Sequence, residues 1–597
     1  LKVPATFAHC FRLTLVVLWL CGLAACSAGP SAKTGSKAAA GTPVTIKLIA
    51  LNDFHGHLRP LPSTTALPAA EPGKTVDIPL GGAAYVATEV RALKAQNGLN
   101  MVVGAGDLIS ASPLESSLFH DESTILALDA MGLEISSVGN HEFDRGRDAL
   151  LRMQNGGCAP DGSIGKDTCI DGPYRGASFR YLAANVVDEA SGKPILPAYA
   201  IREFATPAGP VRIAFIGLVL KALPDMVSHS GIEGLRLDDE ADTVNALLPE
   251  IRAKGINSIV VLIHEGGKST GSYNDQECPG FTGKIIDIVG RLDPAVSLVL
   301  SAHTHEAYVC RLASRDPAHK ILVTSSGSYG RFVTDVDLSI DPVTDQVLTA
   351  NANNIAIVND SMKNPAPTLY PALTADPTIS AIVDEYSKLA APVDNRIIGR
   401  IRTELSNKAD KAGESPLGFV IADAQLEATH AKANGGAQIA FMNIGGVRSG
   451  LKRHNAKGGV NYGQIYSAQP FGTPLTTMTL TGAQLHDVLE AQWHEDSTSA
   501  ILLPSRGFSY TWKADAPLGS KVDPDSMKLN GKPVKSDATY RITVNDFLAD
   551  GGDAFKTFKE GTERRAFKQL DRDVLITYVA RHSPLAAPAR GRIKRLD

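Results

Sequence analysis

From residue 46 onward the chain alternates short apolar runs with helical stretches, and this rhythm limits its fold more than any other feature. The runs Ile46–Leu51, Met101–Ala105, Ile213–Leu220, Ile259–Ile263, Leu298–Leu300 and Ile321–Val323 read as strands buried on both faces. Between several of them lie helical stretches such as Ala83–Gln96 and Ser123–Met131. Alternation of this kind predicts an α/β layered region with much parallel sheet, extending over residues 44–345. At 597 residues the chain also exceeds what a single hydrophobic core sustains, roughly 250–300 residues. Pro365, Pro367, Pro371 and Pro377 give a stiff composition ahead of a helical stretch at Ile379–Leu389, so residues 346–395 are expected to form a linker with a connector helix. Residues 396–590 hold further strand candidates, Ala437–Met442 and Leu475–Leu480, and read as a second globular region.

The first residues carry a different signal. Lys2, His9 and Arg12 precede an apolar run from Leu13 to Ala25. That run is shorter than the roughly 20 residues a bilayer span needs and has the layout of a signal peptide. It closes on Leu23-Ala24-Ala25-Cys26, which resembles a bacterial lipobox, where the cysteine is lipidated; the alternative is cleavage after a small residue to release a free protein. Residues 1–26 are therefore expected to be a lipoprotein-type signal peptide, and residues 27–43, rich in Ser, Ala, Gly, Lys, Thr and Pro, a flexible tether. The expected location is the periplasm or the outer membrane or cell surface of a bacterium, with Cys26 as the membrane attachment.

Cysteine usage agrees with export. Outside the leader remain Cys158, Cys169, Cys278 and Cys310, an even number. Of the three possible pairings, loop proximity favours Cys158–Cys169 with Cys278–Cys310. A zinc site is the rival, and the close Cys-x-x-Cys spacing it usually shows is missing. A net charge of −4 with 20% charged residues gives no electrostatic footprint for nucleic acid or an anionic membrane.

The sharpest chemical signal is where polar residues fall relative to the apolar runs. Asp53 and His55 follow the first run, in Asn52-Asp53-Phe54-His55-Gly56-His57. Asp107 follows the second, after Gly106, and Asn140 and His141 follow Ile135–Val138, in Gly139-Asn140-His141-Glu142-Phe143-Asp144. His264 ends the Ile259–Ile263 run, and His303 and His305 follow Leu298–Leu300. Open α/β sheets place their ligand sites at the carboxyl ends of strands. A pair of divalent cations held close together needs an anionic bridge, for which Asp107 is suited, while imidazoles and an amide oxygen fill other positions without over-neutralising the charge.

In this order the motifs resemble the calcineurin-like metallophosphoesterases, and Asn-Asp-x-His-Gly with Asn-His-Glu-Phe-Asp is typical of their 5′-nucleotidase branch. The resemblance implies a layered β-sandwich flanked by helices, joined by the connector helix to an α/β (α+β) substrate-binding domain. It implies two divalent metal ions (Zn, Mn, Co or Mg), one held by Asp53, His55, Asp107 and His305, the other by Asp107, Asn140, His264 and His303. His141 and Asp144 match the family's catalytic dyad, with Asp144 orienting His141; the alternative for Asp144 is a helix cap near Arg147. His57 matches no ligand.

The second region carries Asn443-Ile444-Gly445-Gly446-Val447-Arg448, then Gln469-Pro470-Phe471-Gly472, then Asn545 to Asp553. These segments look like the substrate-binding domain of 5′-nucleotidases. The resemblance implies that Phe471 and Phe547 stack a nucleobase, that Asp553 holds ribose, and that Arg448 and Asn443 contact phosphate or base. The implied activity is hydrolysis of extracytoplasmic nucleotides to nucleoside and phosphate. Alternatives on the same scaffold are hydrolysis of nucleotide sugars, dinucleotides or 2′,3′-cyclic nucleotides, then a thiosulfohydrolase, then a surface nucleotide-binding protein. One departure bears on the substrate: where relatives place an arginine before the Leu-Gly helix opening, residues 408–413 offer only Lys408 and Lys411.

Overall fold

The computed structural model describes residues 42–160, 165–170, 172–361, 369–494 and 499–596. The expected signal peptide, Cys26, most of the tether, Pro365 and Pro367 lie outside the described residues.

Two six-stranded sheets build the first region. In one, Val44–Leu51, Asn100–Ala105, Leu133–Ser137 and Arg180–Leu182 run parallel, and Phe332–Asp341 pairs antiparallel with Val44–Leu51. In the other, Gly209–Val219, Ser258–His264, Val296–Leu300 and Lys320–Ser326 run parallel, with antiparallel edge strands Tyr199–Thr206 and Ala307–Ala313. Side chains that alternate along each strand fill two different layers. Ile46, Leu48, Met101 and Val103 of the first sheet meet Phe215, Val260, Leu262 and Leu298 of the second inside the sandwich. Ile49, Leu51 and Val102 pack outward beneath the helices Ala83–Gln96 and Glu122–Met131. Ile259, Val261 and Ile263 pack outward beneath Glu240–Ala253 and Ile285–Arg291. Burial on both faces is why these strands are continuous apolar runs rather than alternating ones.

The first sheet extends past the boundary expected at residue 345. Gln346–Ala356 pairs with Phe332–Asp341, Ala352 lying opposite Val336, and so belongs to that sheet rather than to a linker. Its inward positions are Ala350, Ala352 and Asn354, which are too small or too polar to give an apolar run in the sequence.

The connector helix spans Pro377–Asp394, begun by Asp376, whose side chain accepts the Thr378 and Ile379 N–H groups. It is no free rod: Ile379 and Val383 join the first region's outer core, and Tyr386 and Ala390 pack on Phe119. Beyond it, a five-stranded sheet runs in the spatial order Leu502–Pro504, Ile439–Asn443, Thr539–Asn545, Pro474–Thr481, Thr562–Leu570. The helix Pro416–Thr429, capped by Ser415, contributes Leu417, Phe419, Val420 and Ile421 to the core of this region. Ile593–Arg595 also belongs here, parallel to Phe508–Trp512, so this region continues past residue 590. The disulfides are Cys158–Cys169 and Cys278–Cys310. Among the described residues no helix is long and apolar enough to cross a membrane.

Candidate metal centre and adjoining cleft

The polar residues at the strand ends converge. Asp53 and His55 follow Val44–Leu51, Asp107 follows Asn100–Ala105 and Asn140 follows Leu133–Ser137, while His264, His303 and His305 arrive from the facing sheet. The backbone bends sharply to bring them together. Asp53, His55, Asp107, His303 and His305 have φ of 47°, 49°, 48°, 72° and 60°. This left-handed region costs a non-glycine residue about 1–3 kcal/mol and persists only where surrounding structure imposes it. Two glycines make room: a Cβ on Gly139 would lie 2.2 Å from Asp107 Oδ1, and one on Gly106 would lie 2.8 Å from His264 Nδ1.

The donor atoms fall into three overlapping groups, Asp53–His55–His305, His55–Asp107–His141 and Asp107–His264–His303. His264 Nε2 is 3.0 Å and His55 Nε2 3.6 Å from Asp107 Oδ2. His305 Nε2 is 3.3 Å from Asp53 Oδ1 and 3.1 Å from His55 Nε2. Asn140 Oδ1 lies 3.1 Å from His303 Nδ1. Two imidazoles are oriented by their other nitrogen: His264 Nδ1 donates to Ala105 O at 2.9 Å and His55 Nδ1 to Ser110 O at 3.0 Å, which turns Nε2 toward the carboxylates. Asp53 Oδ1 and His264 Nε2 are buried without an aligned hydrogen-bond partner. Buried polar atoms of this kind call for an occupant, and the set of carboxylate, imidazole and amide oxygen fits divalent cations.

Electrostatics agree. Burial opposes charge on His264, yet Asp107 and Asp53 beside it push its pKa up to about 10. Burial alone would raise Asp107, but His264, His141 and His55 outweigh it and hold the carboxyl well below the usual range. Burial lowers His55 strongly and takes His303 to about 4.

Beside this cluster, His141 Nδ1 and Asp144 Oδ2 are 2.7 Å apart, and Ser110 Oγ donates to the same Asp144 oxygen at 2.6 Å. Asp144 does not cap the following helix, Arg147–Asn155, which begins at Gly146 with no side-chain cap. The His141 N–H donates to Asp107 Oδ1 at 2.8 Å, and its ring centroid is 5.0 Å from that of His55. Burial works against protonation of His141, but Asp144 and Asp107 raise its pKa overall.

The second region supplies the facing wall. Asn443 Nδ2 donates to Asp553 Oδ2 at 2.7 Å, and Asn545 Nδ2 donates to Asn443 Oδ1 at 3.2 Å. Phe471, 37% exposed, stacks on His141 with centroids 5.6 Å apart and 11° between ring planes. The Arg448 guanidinium lies 6.0 Å from the Phe471 centroid, and its Nη2 is buried with no partner. Asn443, Arg448, Phe471, Phe547 and Asp553 line one cavity of about 720 Å³ together with Asn140, His141, Asp144 and His303.

Two residues that sequence reasoning passed over hold the centre in shape. Glu142 accepts N–H groups from Asp107, Leu108 and Gly139 at 2.9, 2.8 and 2.5 Å, tying two ligand-bearing loops together. It stood in the Asn-His-Glu motif without an assigned role. Asn52 donates to Asp53 Oδ2 at 2.6 Å and to Gly327 O at 2.8 Å; it too stood in a motif, Asn-Asp-x-His-Gly, without an assigned role. His57 packs on Tyr329 with ring centroids 4.1 Å apart and joins none of the groups of donor atoms. Lys408 and Lys411 do not line the cleft, whose cations among the described residues are Arg145, Arg448, Lys559 and Arg572.

Two facing sheets with this donor set at their strand ends define a metallophosphoesterase, a metal-dependent phosphoester hydrolase. The calcineurin-like phosphoesterase model matches residues 46–307, and the 5′-nucleotidase C-terminal domain model matches residues 395–560. Cell wall protein Lmo0130 of Listeria monocytogenes is 31% identical over 590 residues, covering 95% of this chain and 71% of that protein. Endonuclease YhcR of Bacillus subtilis is 30% identical over 557 residues, 92% of this chain; the match spans only 41% of that longer relative. The crystal structure of a 5′-nucleotidase precursor from Thermus thermophilus superposes with a TM-score of 0.72 at 23% identity, covering 93% of this chain and 100% of that one. The chain belongs to the 5′-nucleotidase family.

Proposed function

We propose that this protein is an exported nucleotidase that hydrolyses nucleotide phosphomonoesters to nucleoside and phosphate at a two-metal centre. In this reading Asp53, His55, Asp107 and His305 hold one ion, and Asp107, Asn140, His264 and His303 hold the other, with Asp107 bridging. Divalent ions bound there supply charge neutralisation at the phosphoryl oxygens and lower the pKa of an attacking water. The remaining steps belong to side chains. His141, oriented and charged by Asp144, stabilises negative charge on the transferring group. Phe471 and Phe547 hold the base, Asp553 the ribose, and Asn443 and Arg448 contact phosphate or base, Arg448 through its unpartnered Nη2.

The observation that carries the reading is the single cavity lined both by the dyad with two of the ligands and by all five substrate-side residues. Export is supported by the two disulfides, which persist in oxidising compartments, and by the leader expected from the sequence. The test is phosphate release from AMP by the purified protein. Turnover is expected with added divalent metal and is expected to disappear on exhaustive chelation; full activity after chelation would overturn the two-metal reading.

A further inference from the structure

A binding residue on a loop is only as well placed as the scaffold that holds the loop. Phe471 is such a residue, on residues 469–473 between the helix Tyr462–Ala468 and the strand Pro474–Thr481. One buried carboxylate holds this turn. Asp571, 3% exposed, directly follows Thr562–Leu570, the neighbour of Pro474–Thr481 in the five-stranded sheet. Its Oδ2 accepts from Gln469 Nε2 at 3.3 Å and from Thr473 Oγ1 at 3.2 Å, and its Oδ1 accepts from the Thr473 N–H at 3.1 Å. The Asp571 N–H donates in return to Thr473 O at 2.9 Å.

Arg572 closes on the turn from the next position. Its Nη1 donates to Pro470 O at 3.2 Å, and its guanidinium lies 4.4 Å from the Tyr466 ring centroid. A Cβ on Gly472 would come within 3.0 Å of its Nη2, and Gly472 has φ 62°, so conformation and space both favour glycine there. Burial pushes the Asp571 carboxyl up to about 6, while the Arg572 N–H, Thr473 and the Arg572 charge favour its ionised form. At neutral pH it is therefore charged, and bonds to a charged acceptor are stronger than neutral ones. A buried charge is costly unless donors offset it. Among the described residues, the side-chain and backbone donors to Asp571 are the Arg572 N–H and groups of the turn.

We infer that Asp571 is a positioning residue for substrate binding: with Arg572 it fixes the turn, and so the place of the Phe471 ring in the cleft. The inference rests on the nucleotide reading, in which that ring stacks a base. A ring that must be ordered when the substrate arrives loses part of its stacking to conformational entropy, whereas a ring already held does not. The same turn sets the 5.6 Å separation between Phe471 and His141. Asp571 acts through Phe471, so its removal should matter only to substrates that carry a base.

The test compares AMP with 4-nitrophenyl phosphate, which has no base, on the metal-loaded full chain near neutral pH. Asp571→Ala should raise KM for AMP several-fold, up to the about tenfold expected for loss of the ring itself. Its kcat, and its KM for the aryl phosphate, should stay within about twofold of wild type. Asp571→Asn keeps one oxygen in place and a similar shape, and should give a smaller rise of the same kind if Asp571→Ala folds poorly. On a Phe471→Ala background, Asp571→Ala should add less than about twofold, because residues that act through one contact are not additive. A rise that multiplies on that background, equal effects on both substrates, or wild-type KM values in both Asp571 variants beside a raised one in Phe471→Ala would overturn the inference alone. No phosphate release from AMP by wild type, or an unchanged KM for AMP in Phe471→Ala, would overturn the nucleotide reading and this inference with it.

Discussion

The metal-centre loops and the loops of the facing wall solve different problems with different construction. Around the candidate metal centre, Asp53, His55, Asp107 and His264 are fully or almost fully buried. Left-handed backbone, backbone-bonded imidazoles and the Glu142 carboxylate hold these loops from several sides at once. On the facing wall, Phe471 is 37% exposed, and its turn is anchored at its two ends rather than at the ring, by bonds from Gln469 and Thr473 to Asp571 and from Arg572 Nη1 to Pro470 O at 3.2 Å. Donor atoms must be placed to within a few tenths of an ångström to hold a cation, so that side is over-determined. In the proposed reading this side stacks a base, and stacking tolerates sliding of the rings, so the ring itself can stay exposed.

Substitutions on the two sides should therefore damage different kinetic constants. The largest effect should come from His141→Ala, which is expected to lower kcat at least a hundredfold, within the about 10²–10⁴ typical of positioned acid–base groups. Metal content by elemental analysis should stay at the wild-type value, because the proposed reading sets His141 beside the ligands rather than among them; a parallel loss of metal would make it a ligand. Phe471→Ala and Phe547→Ala should act next, raising KM for AMP about tenfold, since base stacking contributes about 1–3 kcal/mol. A small aryl phosphate, which has no base to stack, should show little change in KM; equal effects on both substrates would remove base stacking from the account.

The smallest effect is a shift in pH dependence. His141 is raised against the effect of burial by Asp144 and Asp107. If activity needs His141 protonated, turnover is lost as pH rises through its pKa. Asp144→Asn removes part of what raises that pKa, so the alkaline limb of the kcat profile should move to lower pH. A limb that stays in place would assign it to another group.

The sequence by itself determined the class of the fold and the metal-dependent phosphoester hydrolase class, and it pointed to the residues of the candidate centre. The apolar runs and the ligands after them are local features: a strand buried on both faces must be continuously apolar, and its carboxyl end is where a site residue shows. Even so, Gln346–Ala356 escaped, because its inward Ala and Asn side chains give no apolar run and only pairing with Phe332–Asp341 makes it a strand. Tertiary structure alone decided which ring nitrogens face the carboxylates, that Glu142 and Asn52 tie the ligand loops, and that Phe471 stacks on His141 from a residue far along the chain. It also decided that the lysines standing in for an expected arginine lie outside the cleft while Arg145 and Arg572 line it. These are contacts between segments distant in sequence, and no spacing or periodicity records them. In the sequence the metal centre is a string of motifs; folding gives it a second wall, and beside His141 a second cavity.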